Sequence, residues 1–179
     1  NLIGRNIVQA VNEPSEENFD ALMFAGMLAG IGFGNAGCHL PHGMSYAVAG
    51  LVKDYQPDGW PADHPMVPHG ISVIVNSPAV FRKTGPACPE RHWEAADAMG
   101  ADLTDRNMED GGEILADQII SMMRNTGIPN GLSGVGYSMS DLDALTDRSF
   151  AQKRLIDNGP LPVARNELKN LFHDAMSYW

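Results

Sequence analysis

The sequence predicts an all-α fold, a multi-helix bundle of about seven or eight helices. Apolar residues recur at the three- and four-residue spacing of an amphipathic helix along most of the chain. Aromatic residues make up only 7% of the sequence, whereas it holds 10 Met and 19 Gly, a composition that favours close helix packing over a β-sandwich. With 179 residues, 44% of them apolar, the chain has the size and composition of one soluble globular domain.

Seven segments are predicted as helices from their spacing and their N-terminal and C-terminal signals. They cover approximately residues 1–12, 15–30, 41–55, 89–99, 105–125, 138–145 and the stretch from Pro162 to Met176. The second is apolar nearly all round at its far end, so we predict that it is the buried central helix. Residues 56–65, which contain three prolines, are predicted to form a surface loop. Residues 68–81 contain a β-branched run, and periodicity alone leaves strand and buried helix equally open.

Charge and cysteine content exclude several classes of protein. The 12 basic and 22 acidic residues give a net charge of −10 and argue against binding to nucleic acid, which needs a concentrated basic surface. Cys38 and Cys88 are too few for a disulfide framework and are interpreted as small buried hydrophobic residues. No signal peptide is evident, and no uninterrupted apolar run reaches the roughly 18–20 residues of a spanning helix. We therefore expect a cytoplasmic protein without a membrane partner. Because Asn1 lies inside a predicted helix, we also expect a fragment.

The hexapeptide at residues 32–37 matches the dinucleotide-binding pattern GxGxxG, and Asp54 follows about 20 residues later, where a ribose-binding carboxylate is expected. That motif requires a β-strand immediately before it. Here the preceding residues are of helical type, without Val or Thr. We therefore interpret the glycines as positions of small-residue helix packing.

Four of the six histidines lie between residues 30 and 70, and two of them share one local frame, Pro41-His42-Gly43 and Pro68-His69-Gly70. In each frame a proline restricts the backbone before the imidazole, and a glycine allows another group to approach after it. Neutral imidazole is a common metal ligand, so His42 and His69 could form half of a metal site, while packing roles remain open. A metallohydrolase built on this pair would also need a nearby carboxylate.

The other candidates for chemistry are weaker. His39 precedes His42 by three residues, although Pro41 bends the chain between them. We expect His64 to be solvated in its loop, and His92 and His173 to have surface or capping roles. No GxSxG nucleophile motif is present.

Several segments carry a family resemblance: AGIGFGNAG, HGMSY, GLVK, DHPMVPHG, SPAVF, PERHWEAADAMGAD and GVGYSMSDLDAL. Together they resemble the iron-containing (group III) alcohol dehydrogenases, and within that family the hydroxyacid–oxoacid transhydrogenase branch most of all. The resemblance implies the dehydroquinate synthase-like fold of this family, in which a nucleotide-binding α/β domain precedes an all-helical C-terminal domain. Residues 1–179 would then be a single helical metal-binding domain, a fragment of a larger two-domain enzyme without its N-terminal domain.

The resemblance also implies a ligand set and cofactors. Fe²⁺, or in some members Zn²⁺, would be bound by His42 and His69 together with an Asp and a His that precede Asn1. Tyr46 stands where many members have a further histidine; it is expected to position substrate or cofactor, or simply to pack. NAD(P) would bind the absent domain, so cofactor-binding residues in this chain are unknown. The whole enzyme would be a homo-oligomer, mitochondrial if eukaryotic.

The implied reaction is hydride transfer between an alcohol or hydroxyacid, such as 4-hydroxybutyrate, and an aldehyde or oxoacid, such as 2-oxoglutarate. Anionic substrates would need local cations, for which Lys53, Arg82 and Lys83 are candidates. The chain alone is expected to be inactive. The alternative is an isolated helical module that acts only through partner binding or self-association. An apolar patch around Phe33 and Met44, left bare by the missing domain, would favour self-association.

Overall fold

The computed structural model describes residues 1–61 and 63–179, and no β-strand occurs among them. The α-helices are α1 (Leu2–Asn12), α2 (Glu16–Ala36), α3 (Leu40–Gly50), α4 (His69–Ile74), α5 (Ser77–Thr84), α6 (Pro89–Ala98), α7 (Gly111–Asn125), α8 (Leu142–Phe150), α9 (Lys153–Ile156) and α10 (Arg165–Asp174). Short 3₁₀ turns span Gly85–Ala87, Met108–Asp110, Ser133–Val135 and Met139–Asp141. The predicted all-α fold is therefore confirmed. The predicted loop at 56–65 is also confirmed, apart from residue 62, which lies outside the described residues.

The centre of the bundle is α3. Its residues Leu40, Met44 and Val48 are fully buried. It packs against α8, α4 and α9, while α5 and α6 pack against α7, and α10 packs against α8. The largest fully buried side chain among the described residues, Phe172, lies in α10. Helix α3, whose first turn contains His42, is therefore packed on several sides by α4, α8 and α9.

The prediction that residues 15–30 form the buried central helix is wrong. In α2 only Asn18 and Ala25 are buried, whereas Met23 is 77% exposed. This helix packs on α1, which itself lies against the end of α6, so that a Cβ on Gly4 would be 2.7 Å from the Ala98 carbonyl oxygen. An apolar composition shows that a helix face needs cover, but it does not show that the same chain provides it.

The predicted patch around Phe33 and Met44 is half correct. Phe33 is 55% exposed, but Met44, in α3, is completely buried in the core.

Helix α2 is long and apolar enough to cross a membrane by length and composition, with a mean hydropathy of 1.3 over 18 residues. Its longest uninterrupted apolar run is shorter than that. Core helices of soluble proteins satisfy the same criterion, so this property alone establishes no membrane protein.

The GxGxxG match ends a helix and does not begin one. Gly32 and Gly34 lie inside α2, and Gly37 terminates it with φ +76°, donating its N–H to the Phe33 carbonyl 2.8 Å away. No strand precedes it in the described residues, which agrees with the rejection of a nucleotide loop. The predicted small-residue packing is wrong, however, because a Cβ added at Gly32 or Gly34 would meet nothing within 4 Å.

The ambiguous segment at 68–81 forms two helices, α4 and α5, and not a strand. Hydroxyl and amide side chains bond to backbone carbonyls one turn back, as in Ser72 to His69 (2.8 Å) and Asn76 to Ser72 (2.7 Å). Pro78 lies in the first turn of α5, where its missing N–H costs no hydrogen bond. The described residues form ten α-helices, whereas seven or eight were expected. The difference arises because residues 68–81 form two helices and because the short α9 was not predicted.

Candidate metal centre

His42 and His69 lie next to each other although 27 positions separate them in the sequence. His42 lies in the first turn of α3 and His69 is the first residue of α4, two helices that pack together. Their ring centroids are 5.4 Å apart, with the ring planes inclined at 53°. The fold therefore brings together the two residues that the repeated Pro-His-Gly frame singles out.

The local backbone explains how each ring is presented. The His39 carbonyl accepts hydrogen bonds from the N–H groups of His42 (2.9 Å) and Gly43 (3.1 Å), which starts α3 at this point. A Cβ at Gly43 would approach the Ile156 side chain to 2.8 Å, so the glycine allows α9 to pack closely. At Gly70 a Cβ would meet nothing within 4 Å, so the second frame does not use its glycine in this way.

The surroundings of His42 favour its neutral form. Partial burial lowers the pKa of its imidazole, and the neighbouring His69 lowers it further. A neutral imidazole is the form that binds a metal ion. In the described residues no third His, Cys, Asp or Glu joins the pair, and no carboxylate is present there to act as the base of a metallohydrolase.

Tyr46 lies on α3, four residues after His42 and therefore about one helical turn further along the same side. Its side chain is 49% exposed, so it is not a packed core residue in this chain. The packing role that the sequence leaves open for it is not observed within the described residues.

The prediction of a surface or capping role for His92 is wrong. His92 is 7% exposed, and its Nε2 lies 2.8 Å from the Thr84 hydroxyl oxygen. Its Nδ1 lies 3.0 Å from the Cys88 carbonyl oxygen. The available signal was helical spacing, because Ala96, four residues later on α6, is fully buried on the same face.

The remaining histidines and cysteines differ in their surroundings. His64 and His173 are exposed and lie beside Asp63 (2.9 Å) and Asp174 (3.2 Å), as predicted for surface residues. Cys38 and Cys88 are only partly buried, so their interpretation as buried hydrophobic residues is wrong. His39 lies between α3 and α5, and burial, His42 and His92 together lower its pKa.

The three candidate cations for an anionic substrate are each bound by carboxylates of this chain. Lys53 pairs with Asp141 at 2.5 Å, and Lys83 with Glu167 at 2.7 Å. Arg82 contacts both Glu113 (2.9 Å) and Asp117 (2.8 Å). Each of the three is therefore engaged in an ion pair within this chain.

Comparison with known proteins gives a consistent result. The family model for the C-terminal region of Fe-containing alcohol dehydrogenases matches residues 1–176. The chain is 42% identical to hydroxyacid-oxoacid transhydrogenase, mitochondrial, from Xenopus laevis over 99% of its own length and 39% of that protein. It is 40% identical to the Homo sapiens protein of the same name, of which it covers 38%. The chain thus spans about two fifths of the length of these relatives.

Solved structures have the same fold. A 1,3-propanediol oxidoreductase superposes with a TM-score of 0.83 at 26% identity, over 97% of this chain and 42% of that one. An alcohol dehydrogenase from Oenococcus oeni also gives 0.83, at 22% identity and the same coverage, which shows the fold alone. A family-model match over nearly the whole chain, together with these relatives, shows that the chain belongs to the Fe-containing alcohol dehydrogenase family and is part of its C-terminal region.

Proposed function

We propose that this chain is the metal-binding C-terminal part of an iron-dependent, NAD(P)-linked oxidoreductase, an alcohol dehydrogenase or a hydroxyacid–oxoacid transhydrogenase. The observation that carries the proposal is the 5.4 Å approach of the His42 and His69 rings at the starts of two adjacent helices. The alternative of an inactive helical module gains no support from the relatives, which are named as oxidoreductases.

The two histidines fit half of a ligand set for divalent iron or zinc. Both metals accept imidazole nitrogen, and the burial that lowers the pKa of His42 favours its neutral, ligating form. We propose that the remaining ligands come from a part of the protein outside residues 1–179, because no third His, Cys, Asp or Glu of the described residues is placed to hold a metal ion together with the pair. That residues 1–179 form a single helical unit of a two-domain enzyme belongs to the same proposal.

In this proposal His42 and His69 hold the metal, and Tyr46, one turn beyond His42, positions the substrate or the nicotinamide. When bound, the metal supplies Lewis-acid polarisation of the substrate oxygen during hydride transfer. The nucleotide is bound outside this chain, since the glycine-rich segment here is the end of a helix. Mitochondrial names of the relatives support that location for a eukaryotic protein.

The first test is metal content in the longer protein that carries this chain. Each of His42→Ala and His69→Ala should lower metal affinity by more than the 10–100-fold typical of residues that merely orient ligands. His64→Ala, which removes an exposed loop imidazole, is the matched control and should retain stoichiometric metal. Wild-type protein without metal, or variants that keep it, would contradict the proposal.

The second test separates the two activities. A transhydrogenase should oxidise a hydroxyacid only when an oxoacid is present, without added nicotinamide, whereas a dehydrogenase should need added NAD(P)⁺. The isolated 179-residue chain should do neither and should not bind NAD. Turnover by that chain would refute the expectation that it is inactive alone.

A further inference from the structure

A groove that is open to solvent, here called the chamber, has a volume of about 270 Å³ and lies directly beside His42. It is lined by residues of α2, α3, α4 and α5 and of the turn between α2 and α3, among them Phe33, Cys38, His39, His42, Ser77 and Phe81. A second chamber, of about 370 Å³, shares two of these residues and extends to Thr84, Cys88 and His92. His39 and Phe81 therefore border both spaces.

The backbone of His39 helps to begin α3, whereas its imidazole forms no hydrogen bond that stabilises the helix. His39 occupies the N-cap position of α3, where its carbonyl accepts the bonds that start the helix, yet its side chain forms no capping hydrogen bond. Polar side chains are favoured at this position because they do form such a bond. Helix capping therefore does not account for a histidine side chain at this position.

The Nδ1 atom of His39 is buried and has no hydrogen-bond partner in the described part of the chain. Because that atom has almost no accessible surface, a ligand in the chamber cannot reach it, and the neutral ring is least destabilised when its proton is on Nε2 instead. The comparison with His92 is direct, because that buried ring has the Thr84 hydroxyl and the Cys88 carbonyl as neighbours. The Nδ1 atom of His39 has no such neighbour among the described residues, although the ring borders the chamber next to His42, the candidate metal ligand.

The ring is also held in place. It contacts Phe81 edge-to-face, with centroids 6.4 Å apart, while its backbone is fixed by the start of α3. With its proton on Nε2, a neutral imidazole donates a hydrogen bond from that nitrogen to a carbonyl, carboxylate or hydroxyl oxygen. An oxoacid and its hydroxyacid both carry such oxygens.

We propose that His39 is a substrate-binding residue whose imidazole hydrogen-bonds an oxygen atom of the oxoacid or hydroxyacid held in the chamber beside His42. The inference rests on the proposed function, which it extends by naming a polar contact to the substrate. It assigns that contact to a neutral ring, which is consistent with Lys53, Arg82 and Lys83 being engaged by carboxylates elsewhere.

The test is calorimetric binding of 2-oxoglutarate to the longer protein, together with its KM. His39→Phe keeps the ring packing against Phe81 and removes both nitrogens. It should weaken binding and raise KM by about tenfold, the effect of losing one hydrogen bond, with metal content unchanged. His39→Asn, whose amide keeps a polar group at this position, should bind 2-oxoglutarate more weakly than wild type and more tightly than His39→Phe. If His39→Phe fails to fold, wild-type affinity in folded His39→Asn contradicts the inference.

The matched control is His92→Phe, which removes a buried imidazole that already has its partners. It should lower the melting temperature and leave the affinity for 2-oxoglutarate unchanged. Wild-type affinity in folded His39→Phe, or a wild-type protein that does not bind 2-oxoglutarate, would overturn the inference. A crystal structure of the complex in which no substrate oxygen lies within hydrogen-bond distance of His39 Nε2 would do the same.

Failure of the proposed function gives a different result. Protein that binds 2-oxoglutarate through His39 but lacks metal or hydride transfer would contradict the proposed oxidoreductase and leave the His39 contact standing. Binding and metal analysis therefore report separately on the two proposals.

Discussion

At the residue scale, the same side chain takes quite different roles according to what surrounds it. The ring centroids of His42 and His69 are 5.4 Å apart, His92 is hydrogen-bonded to the Thr84 hydroxyl in the core, and His64 is exposed to solvent. Residue type alone does not separate these cases. The Pro-His-Gly frame identified the first pair because it records a backbone restriction as well as an imidazole.

Asp141 provides a pH-dependent prediction. Its carboxylate accepts bonds from Lys53 and from the backbone N–H (2.8 Å) and hydroxyl (2.9 Å) of Ser138, and these bonds, that of Lys53 foremost, lower its pKa. A carboxyl group whose pKa is lower in the folded than in the unfolded state stabilises the fold at high pH. That stabilisation disappears as the pH falls through the folded-state pKa.

We therefore expect Asp141→Asn to lower the free energy of unfolding by about 1 kcal/mol at pH 7, the usual effect of losing a capping side chain. The difference from wild type should shrink as the pH falls below about 4. Urea unfolding at pH 7 and pH 3 measures both values. Glu109→Gln, at an exposed carboxylate without an ion pair in the described residues, is the control and should show no such pH-dependent difference. An equal loss at both pH values would contradict this account.

At the element scale, helix contacts and not helix formation decide where each segment lies. The end of α5 and the start of α7 touch through their backbones: a Cβ on Gly112 would lie 2.6 Å from both the Gly85 Cα and the Phe81 carbonyl oxygen. By contrast, Gly30 in α2 has nothing within 4 Å of such an atom. The two glycines look alike in the sequence and differ completely in what they permit.

Two glycine-to-alanine substitutions test this difference. Gly112→Ala should destabilise the fold by about 1–3 kcal/mol, because the backbones of α5 and α7 would have to separate. Gly30→Ala should stabilise it by up to about 1 kcal/mol, because alanine is the better helix former and no neighbour is disturbed. Thermal or urea unfolding of both variants gives the comparison. Similar effects at the two sites would show that the α5–α7 contact is looser than the structure indicates.

At the scale of the whole molecule, α1 and α2 form a pair at the edge of the bundle, with the apolar side of α2 uncovered. The exposed large side chains of this helix are Phe19, Met23, Phe24, Met27, Leu28, Ile31 and Phe33. A contiguous apolar surface of this kind is unusual on a monomer and is typical of an interface. We therefore expect the isolated 179-residue chain to self-associate through α2.

Replacing Met23 and Met27, which lie one turn apart and are 77% and 52% exposed, by lysine should abolish that association. Because neither side chain is buried, the helical circular dichroism should stay unchanged. Light scattering across a range of protein concentrations measures the association. The control is Met139→Lys, an exposed methionine away from α2, which should associate like wild type. A monomeric wild-type chain at all concentrations would refute the expectation.

The end of α2, the end of α3, the start of α7 and both ends of α8 lie four to six residues from their predicted positions. The sequence by itself still determined the helical class and the approximate place of most helices, and it singled out the pair His42 and His69. These follow from local rules: spacing of apolar residues, capping residues and the backbone restrictions of proline and glycine. The family was also readable from contiguous motifs, and the family comparisons confirm it.

Only the tertiary structure decided which helix is central, because α2 and α3 are both apolar and the choice depends on which surfaces meet. It likewise decided that His92 is buried, that Met44 is core, and that His39 borders a chamber beside His42 with an unpaired nitrogen. The physical reason is common to all of these. Burial and hydrogen-bond satisfaction are properties of contacts between distant segments, and local spacing does not specify those contacts.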